Sequence, residues 1–502
     1  MLMKRNRIVL LIEMVACIAI AGVCMGMAAA PDKGLGRETA AQMEARGIRA
    51  MEAGDWERAA RVFEELAERR PGSYVGFYNL ASVYSRLGEM ELASDAISNA
   101  IFNGFTDRRQ LMRDPDLAEL RETAFFGTLM KEWIRIVDSR HQADLERMNA
   151  IVHAKKMEHR TLDSLRLEMV SAHDPVSTDQ AVAELELITR WAGREVFVGL
   201  DRSIGMGGGG DSAWVMVGLP EKRGFGKWAR ETFGNSVSSG ISSVGGAYEH
   251  QQRRLVAQDL GATLRHEFVH VLHWRDMTRL GQNHAPWIQE GLASVVEDYD
   301  VVGGRLVPMA SWRTNMVKRL VKVRKLPKIG DLAAMSLPEF TGRNPLARYA
   351  QARTILMWLI EQGKLGAFYI EYLDSYDEDP TGVAALEKVT GIEGKELDRV
   401  YQSWVRGLEQ VPETGSDLSA TLGISIENGT GDGVVVKDLS VEARRRTRLK
   451  MGMVITAIEG RATRDLHELI RVLGSYGPGD VVTVHWRRGT IHGENAVKLL
   501  GR

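Results

Sequence analysis

The sequence predicts a multidomain α+β protein: a helical N-terminal region, a mixed central region and a small β-rich unit at the C-terminus. Three observations predict this. Residues 39–108 repeat a helical apolar pattern at a fixed offset. The middle of the chain mixes short strand signals with long helical ones, and beyond a polar break at 412–417 short apolar runs alternate with glycine turns. With 502 residues the chain is also too long for one ordinary domain.

Composition agrees. The chain is 44% hydrophobic and 26% charged, enough apolar material for several cores. A formal net charge of −1 gives no electrostatic reason to expect nucleic acid or an anionic membrane surface as a partner.

The first 30 residues stand apart. Lys4, Arg5 and Arg7 precede an apolar stretch from Ile8 to Met27, followed by Ala28-Ala29-Ala30-Pro31. A basic start, an apolar middle and small residues at the end read as a secretory signal over 1–30, which predicts export to a periplasm or cell envelope. An uncleaved membrane anchor is the alternative, because the stretch approaches the roughly 20 residues that span a bilayer. Membrane contact is expected only through this segment. Both cysteines, Cys17 and Cys24, lie within it, so a chain cleaved there would have no disulfide, thiol nucleophile or cysteine-ligated metal.

In the helical region (39–137), Gly54-Asp55-Trp56 is answered 34 residues on by Gly88-Glu89-Met90. Ala59 and Phe63 are answered by Ala93 and Ile97, and Pro71 closes the first unit. This pattern resembles the tetratricopeptide repeat, a stacked helical pair whose concave face implies protein partners. The apolar stripe of Leu117, Leu120, Phe125, Phe126, Leu129 and Trp133 predicts a helical stretch from Asp116 to Val137 that caps the pair.

The central region (140–410) shows strand signals at Glu195–Leu200 and Gln252–Ala257 and helical periodicity at 259–275, 286–298, 346–362 and 394–408. The glycines of 205–211 lack nucleotide-binding spacing and read as a loop. Within the first of these helices stands His266-Glu267-Phe268-Val269-His270. Residues i and i+4 share a helix face, so two imidazoles can converge on one tetrahedral Zn²⁺, with Glu267 beside them to accept a proton from attacking water.

A third ligand is required. Pro286 suits the first turn of the next helix, and Glu290 lies one turn in. His266-Glu267-x-x-His270 followed by Glu290-Gly291-Leu292-Ala293 resembles the gluzincin zinc metallopeptidases, in the peptidase MA-like branch. That resemblance implies Zn²⁺ held by His266, His270 and Glu290, Glu267 as general base, and proteins or peptides as substrates. It also implies a catalytic tyrosine downstream, for which Tyr349 is the candidate and plain packing the alternative; Arg348 and His250 are fallback donors. The strand at 195–200 is a candidate edge for orienting substrate. His284 is a rival ligand in the connecting loop. His273 lies too far along the helix to share the metal, and Asp298 and Asp300 read as surface charges.

Residues 418–502 resemble a PDZ domain on the strength of Leu422-Gly423-Ile424, Gly433–Val436, Gly452–Gly460 and a helix near 466–473. The resemblance implies capture of a peptide C-terminus by the Leu422, Gly423, Ile424 loop and pairing of the peptide with a sheet edge. Arg448 and Met453 depart from that family's usual glycine and aspartate. The run Arg444–Lys450 reads as a solvated turn. A different class remains open throughout: a catalytically idle envelope scaffold that binds partners through its repeats and its C-terminal unit.

Overall fold

The computed structural model describes residues 38, 40–155, 157–197, 215–220, 224–228, 246–249, 253–342 and 344–501. The segment 1–30 expected to be a leader, with Cys17 and Cys24, residues 198–200, the glycine-rich segment 205–211 and His250 lie outside them. The described chain is mixed helix and sheet.

Four helices open it: α1 (Ala40–Glu52), α2 (Trp56–Arg69), α3 (Tyr74–Leu87) and α4 (Met90–Phe102). Asp55 accepts the Arg58 N–H at the start of α2, and Ser73 accepts the Val75 N–H at the start of α3. Gly88, at φ 81°, ends α3 in a left-handed turn. Ala59, Phe63, Tyr78, Ala81, Ala93 and Ile97 bury into one core. Gly47 lets α1 close on it, since a Cβ there would stand 2.5 Å from Phe63 Cζ.

Helix α5 (Ala124–Lys155) joins this layer to the next. Phe126, Leu129 and Trp133 close the helical core, while Leu145 and Met148 pack with Val170, Met216 and Val256 of the central sheet. One continuous helix therefore passes through residues 138 and 139, where the sequence changes character.

The central sheet runs β1 (Glu158–Leu162), β2 (Leu167–Ser171), β3 (Val215–Leu219), β5 (Arg254–Ala257) and β4 (Gly246–Glu249), in that spatial order. β2, β3 and β5 are parallel, and β1 and β4 are antiparallel edges. Alternation sends Met169, Val217 and Leu255 to one face and Val170, Met216 and Val256 to the other, and both faces are covered by helices. On the first face lie α6 (Pro175–Glu195), α7 (Ala262–Leu280) and α8 (Pro286–Val295). Glu195, expected to open a strand, instead ends α6, and Val196 caps it. The apolar run after Arg194 has strand propensity, but Val196 and Phe197 are drawn into the same core as the helix.

Beyond α8 come the hairpin β6 (Tyr299–Val302) and β7 (Arg305–Pro308), then α9 (Trp312–Lys322), α10 (Pro345–Glu361), α11 (Leu365–Asp374) and α12 (Gly394–Gly407). Gly291 sets the spacing of α8 and α10: a Cβ there would stand 2.9 Å from Leu356 Cδ1 and 3.1 Å from the Ala352 carbonyl oxygen. The C-terminal unit has its own core. Its strands are β8 (Ile424–Asn428), β9 (Val434–Leu439), β10 (Val454–Ile458), β11 (Val481–Arg488) and β12 (Ile491–Lys498), and they lie side by side in chain order. Helix α13 (Val441–Arg446) carries the exposed arginines Arg444, Arg445 and Arg446, and α14 (Leu466–Leu473) packs on β10. Among the described residues no helix is long and apolar enough to cross a membrane.

Candidate metal centre

Helix α7 is buried along most of its length. It ends at Gly281, whose φ of 68° a residue with a side chain seldom adopts. His266 and His270 stand one turn apart on its face toward α8, which starts with Pro286 and presents Glu290 a turn later.

These three side chains meet. The Nε2 atoms of the two histidines are 3.1 Å apart, and Glu290 Oε2 lies 3.3 Å from that of His266 and 3.4 Å from that of His270. Ligands at 2.0–2.1 Å around a tetrahedral zinc stand about 3.3–3.4 Å from each other, so the triangle fits that ion. All three residues are buried.

The ionisable groups of the cluster shift one another. Burial opposes ionisation of Glu290, but the two histidines outweigh it and hold the carboxyl well below its usual range. Burial likewise opposes charge on His266, yet Glu290 and Glu297 push it up to about 10. Burial keeps His270 below its ordinary value. Glu267 is fully buried, and desolvation, opposed by His266 but reinforced by Glu290, raises it to about 8.

Glu297 is the residue that the sequence hides. It accepts from or shares a proton with His266 Nδ1 at 2.8 Å, while its other oxygen takes Arg313 Nε at 2.8 Å. Such a partner fixes the ring and its tautomer. Glu297 lies past the end of α8, where helical periodicity no longer reports which way a side chain faces. Its neighbours differ from expectation too. Asp298 is buried beside Arg353, and Asp300 is paired with Arg461 and Arg471 of the C-terminal unit, so neither is a surface charge.

The remaining candidates sort by contact. Tyr349, near the start of α10, is buried with its ring 6.2 Å from that of His266 and 5.3 Å from Phe340. Arg348 donates to the Phe340 carbonyl. His284 is no part of the triangle: its Nδ1 is 2.7 Å from His273 Nε2 and its Nε2 is 2.9 Å from Gln282. The described sheet edge against α7 is β4; of the edge expected at 195–200, Glu195 and Val196 belong to the end of α6 and residues 198–200 lie outside the described residues. Gly246 of β4 makes room for Glu267, since a Cβ there would stand 3.1 Å from Glu267 Cγ and 2.6 Å from Thr263 Cγ2. In the C-terminal unit Leu422 is buried, Gly423 has φ 69°, and its N–H already donates to Thr421 Oγ1 at 3.1 Å.

No protein-family model matches the chain. A chloroplastic protein from Arabidopsis thaliana is 30% identical over 90 residues, which is 17% of this chain and 27% of that protein. A distant structural neighbour is an aminopeptidase N family protein from Idiomarina loihiensis, at 14% identity and a TM-score of 0.24, covering 67% of this chain and 65% of its own. The chain thus spans about a quarter of the plant protein and less than two thirds of the solved one. Overlap at that score carries no weight for fold or activity, which rest on this chain's own residues.

Proposed function

We propose that the chain is an exported zinc-dependent metallopeptidase in which His266, His270 and Glu290 hold the metal and Glu267 is the general base. One observation carries the reading: three buried side-chain atoms converge at 3.1–3.4 Å, close to the ligand spacing around a tetrahedral zinc. A zinc ion held there supplies Lewis acidity, which makes water nucleophilic near neutral pH and polarises a carbonyl.

The chain's own residues do the rest. Glu267 takes the proton of the attacking water and passes it to the leaving amine, and burial suits it to both roles by raising its proton affinity. Glu297 and Arg313 keep His266 in one orientation. Tyr349, whose ring lies 6.2 Å from that of His266, is the candidate donor to the oxyanion. Strand β4 offers substrate a backbone edge beside Glu267. The helical layer α1–α4 and the C-terminal unit, which resemble tetratricopeptide repeats and a PDZ domain, serve as surfaces for protein substrates or partners.

The test is metal analysis of purified protein together with a broad peptide-cleavage assay. Wild type should hold one zinc per chain; Glu267→Gln should keep the metal and lose hydrolysis, and Glu290→Ala should lose the metal. A wild-type chain with no stoichiometric metal and no response to added zinc leaves the idle scaffold as the better reading.

A further inference from the structure

The C-terminal unit reaches the helix that carries the metal ligands, by backbone and by charge. The Leu260 N–H donates to the Thr430 carbonyl at 2.7 Å, one residue before Gly261 caps α7. Gly431, at φ 121°, is pressed so close that a Cβ on it would stand 2.2 Å from the Gly261 nitrogen. Two loops far apart in sequence therefore meet with no side chain between them.

The charged path is longer and ends at a ligand. Arg464, 4% exposed and just ahead of α14, donates to Glu184 of α6, to Glu468 at 2.6 Å and to the Tyr299 carbonyl at 3.0 Å. The second oxygen of Glu184 accepts from Arg265 at 3.0 Å. Arg265 is fully buried, directly precedes His266, and also donates to the carbonyls of Val296 and Glu297 at 3.0 and 2.7 Å. The carboxylate of that same Glu297 holds His266 Nδ1. Both guanidinium groups also lie against the ring of Tyr299, 5.6 Å from its centre for Arg265 and 4.1 Å for Arg464. Removing one member of such a buried array leaves the others short of a counter-charge, which costs more than an exposed pair would.

We propose that the C-terminal unit clamps the metal centre, with Arg464 as a positioning residue that acts through Glu184 and Arg265 on His266 and Glu297. The inference rests on the reading that His266, His270 and Glu290 bind a metal. On this view the unit is part of the catalytic body as well as a surface for partners.

The test uses the full chain loaded with Co²⁺, whose visible absorption reports ligand geometry, followed by extraction of the metal with a chelator. Arg464→Met should shift the cobalt spectrum and speed extraction by about 10- to 100-fold, the range for groups that orient a metal ligand. The control is Arg471→Met, because Arg471 pins the same unit through Asp300 instead of through Glu184. That variant should leave spectrum and extraction at wild-type values. Should Arg464→Met fail to fold, Arg464→Lys carries the test: one ammonium cannot span Glu184, Glu468 and the Tyr299 carbonyl together, so a shift in the same direction is expected. Unchanged behaviour in the Arg464 variants overturns the proposal, and so does an equal effect from Arg471→Met, which would mean that docking alone matters. A wild-type chain that takes up no cobalt removes the metal reading itself.

Discussion

His266 Nδ1 lies 2.8 Å from Glu297 Oε1, so the imidazole is gripped from behind while its Nε2 faces Glu290 and His270. Glu297→Gln keeps the shape but removes the charge that favours this orientation. Metal affinity should fall by about 10- to 100-fold in a chelator competition. An affinity equal to wild type would show that the ring is held by packing alone.

Gly246 gives a steric test of the base. Its missing side chain is the space that Glu267 Cγ and Thr263 Cγ2 fill, at 3.1 and 2.6 Å from where a Cβ would sit. Gly246→Val should displace the carboxylate and abolish peptide cleavage, while zinc content stays near one per chain. An active valine variant would mean that strand β4 does not confine Glu267.

Tyr349 stands beside His266, and its hydroxyl is the part that chemistry would use. Tyr349→Phe keeps the ring against Phe340 and deletes the oxygen. Turnover should drop by about 10²–10³, the effect of losing one oxyanion donor, with zinc content unchanged. Full activity in the phenylalanine variant would return Tyr349 to a packing role.

Glu44 offers a pH signature remote from the metal. Buried in α1, its carboxyl is pushed by desolvation up to about 7 from an ordinary 4.5. The folded helical layer thus binds this proton more tightly than the unfolded chain does. The contribution of this one group should be fully present below about pH 4.5 and lost as pH rises through 7, by roughly 3 kcal/mol. Amide exchange across residues 40–102, corrected for intrinsic rates, should show the loss in wild type and a flatter profile in Glu44→Gln. Parallel profiles would remove Glu44 as the cause.

Local signals made part of this structure legible. His266 and His270 could be set on one face because i and i+4 always share it, and Pro286 announced the helix that delivers Glu290. Asp55, Ser73 and Gly88 likewise mark helix ends through bonds to their own neighbours. The start of α6 was equally available, since Asp174 accepts the Ser177 N–H ahead of Pro175, but the strand-like residues after Arg194 draw attention away from it.

The sequence by itself determined the residue types of the candidate ligands and the helical spacing that brings two histidines together, because those depend on a few consecutive residues. Tertiary structure decided which acid supports them and what encloses them. Glu297 meets His266 across 31 positions, Arg464 meets Glu184 across 280, and Gly246 serves only because a helix packs against its strand. Periodicity carries no information about such pairs. Their identity is fixed by how whole elements pack, with buried charges drawn together because each would be costly to leave alone.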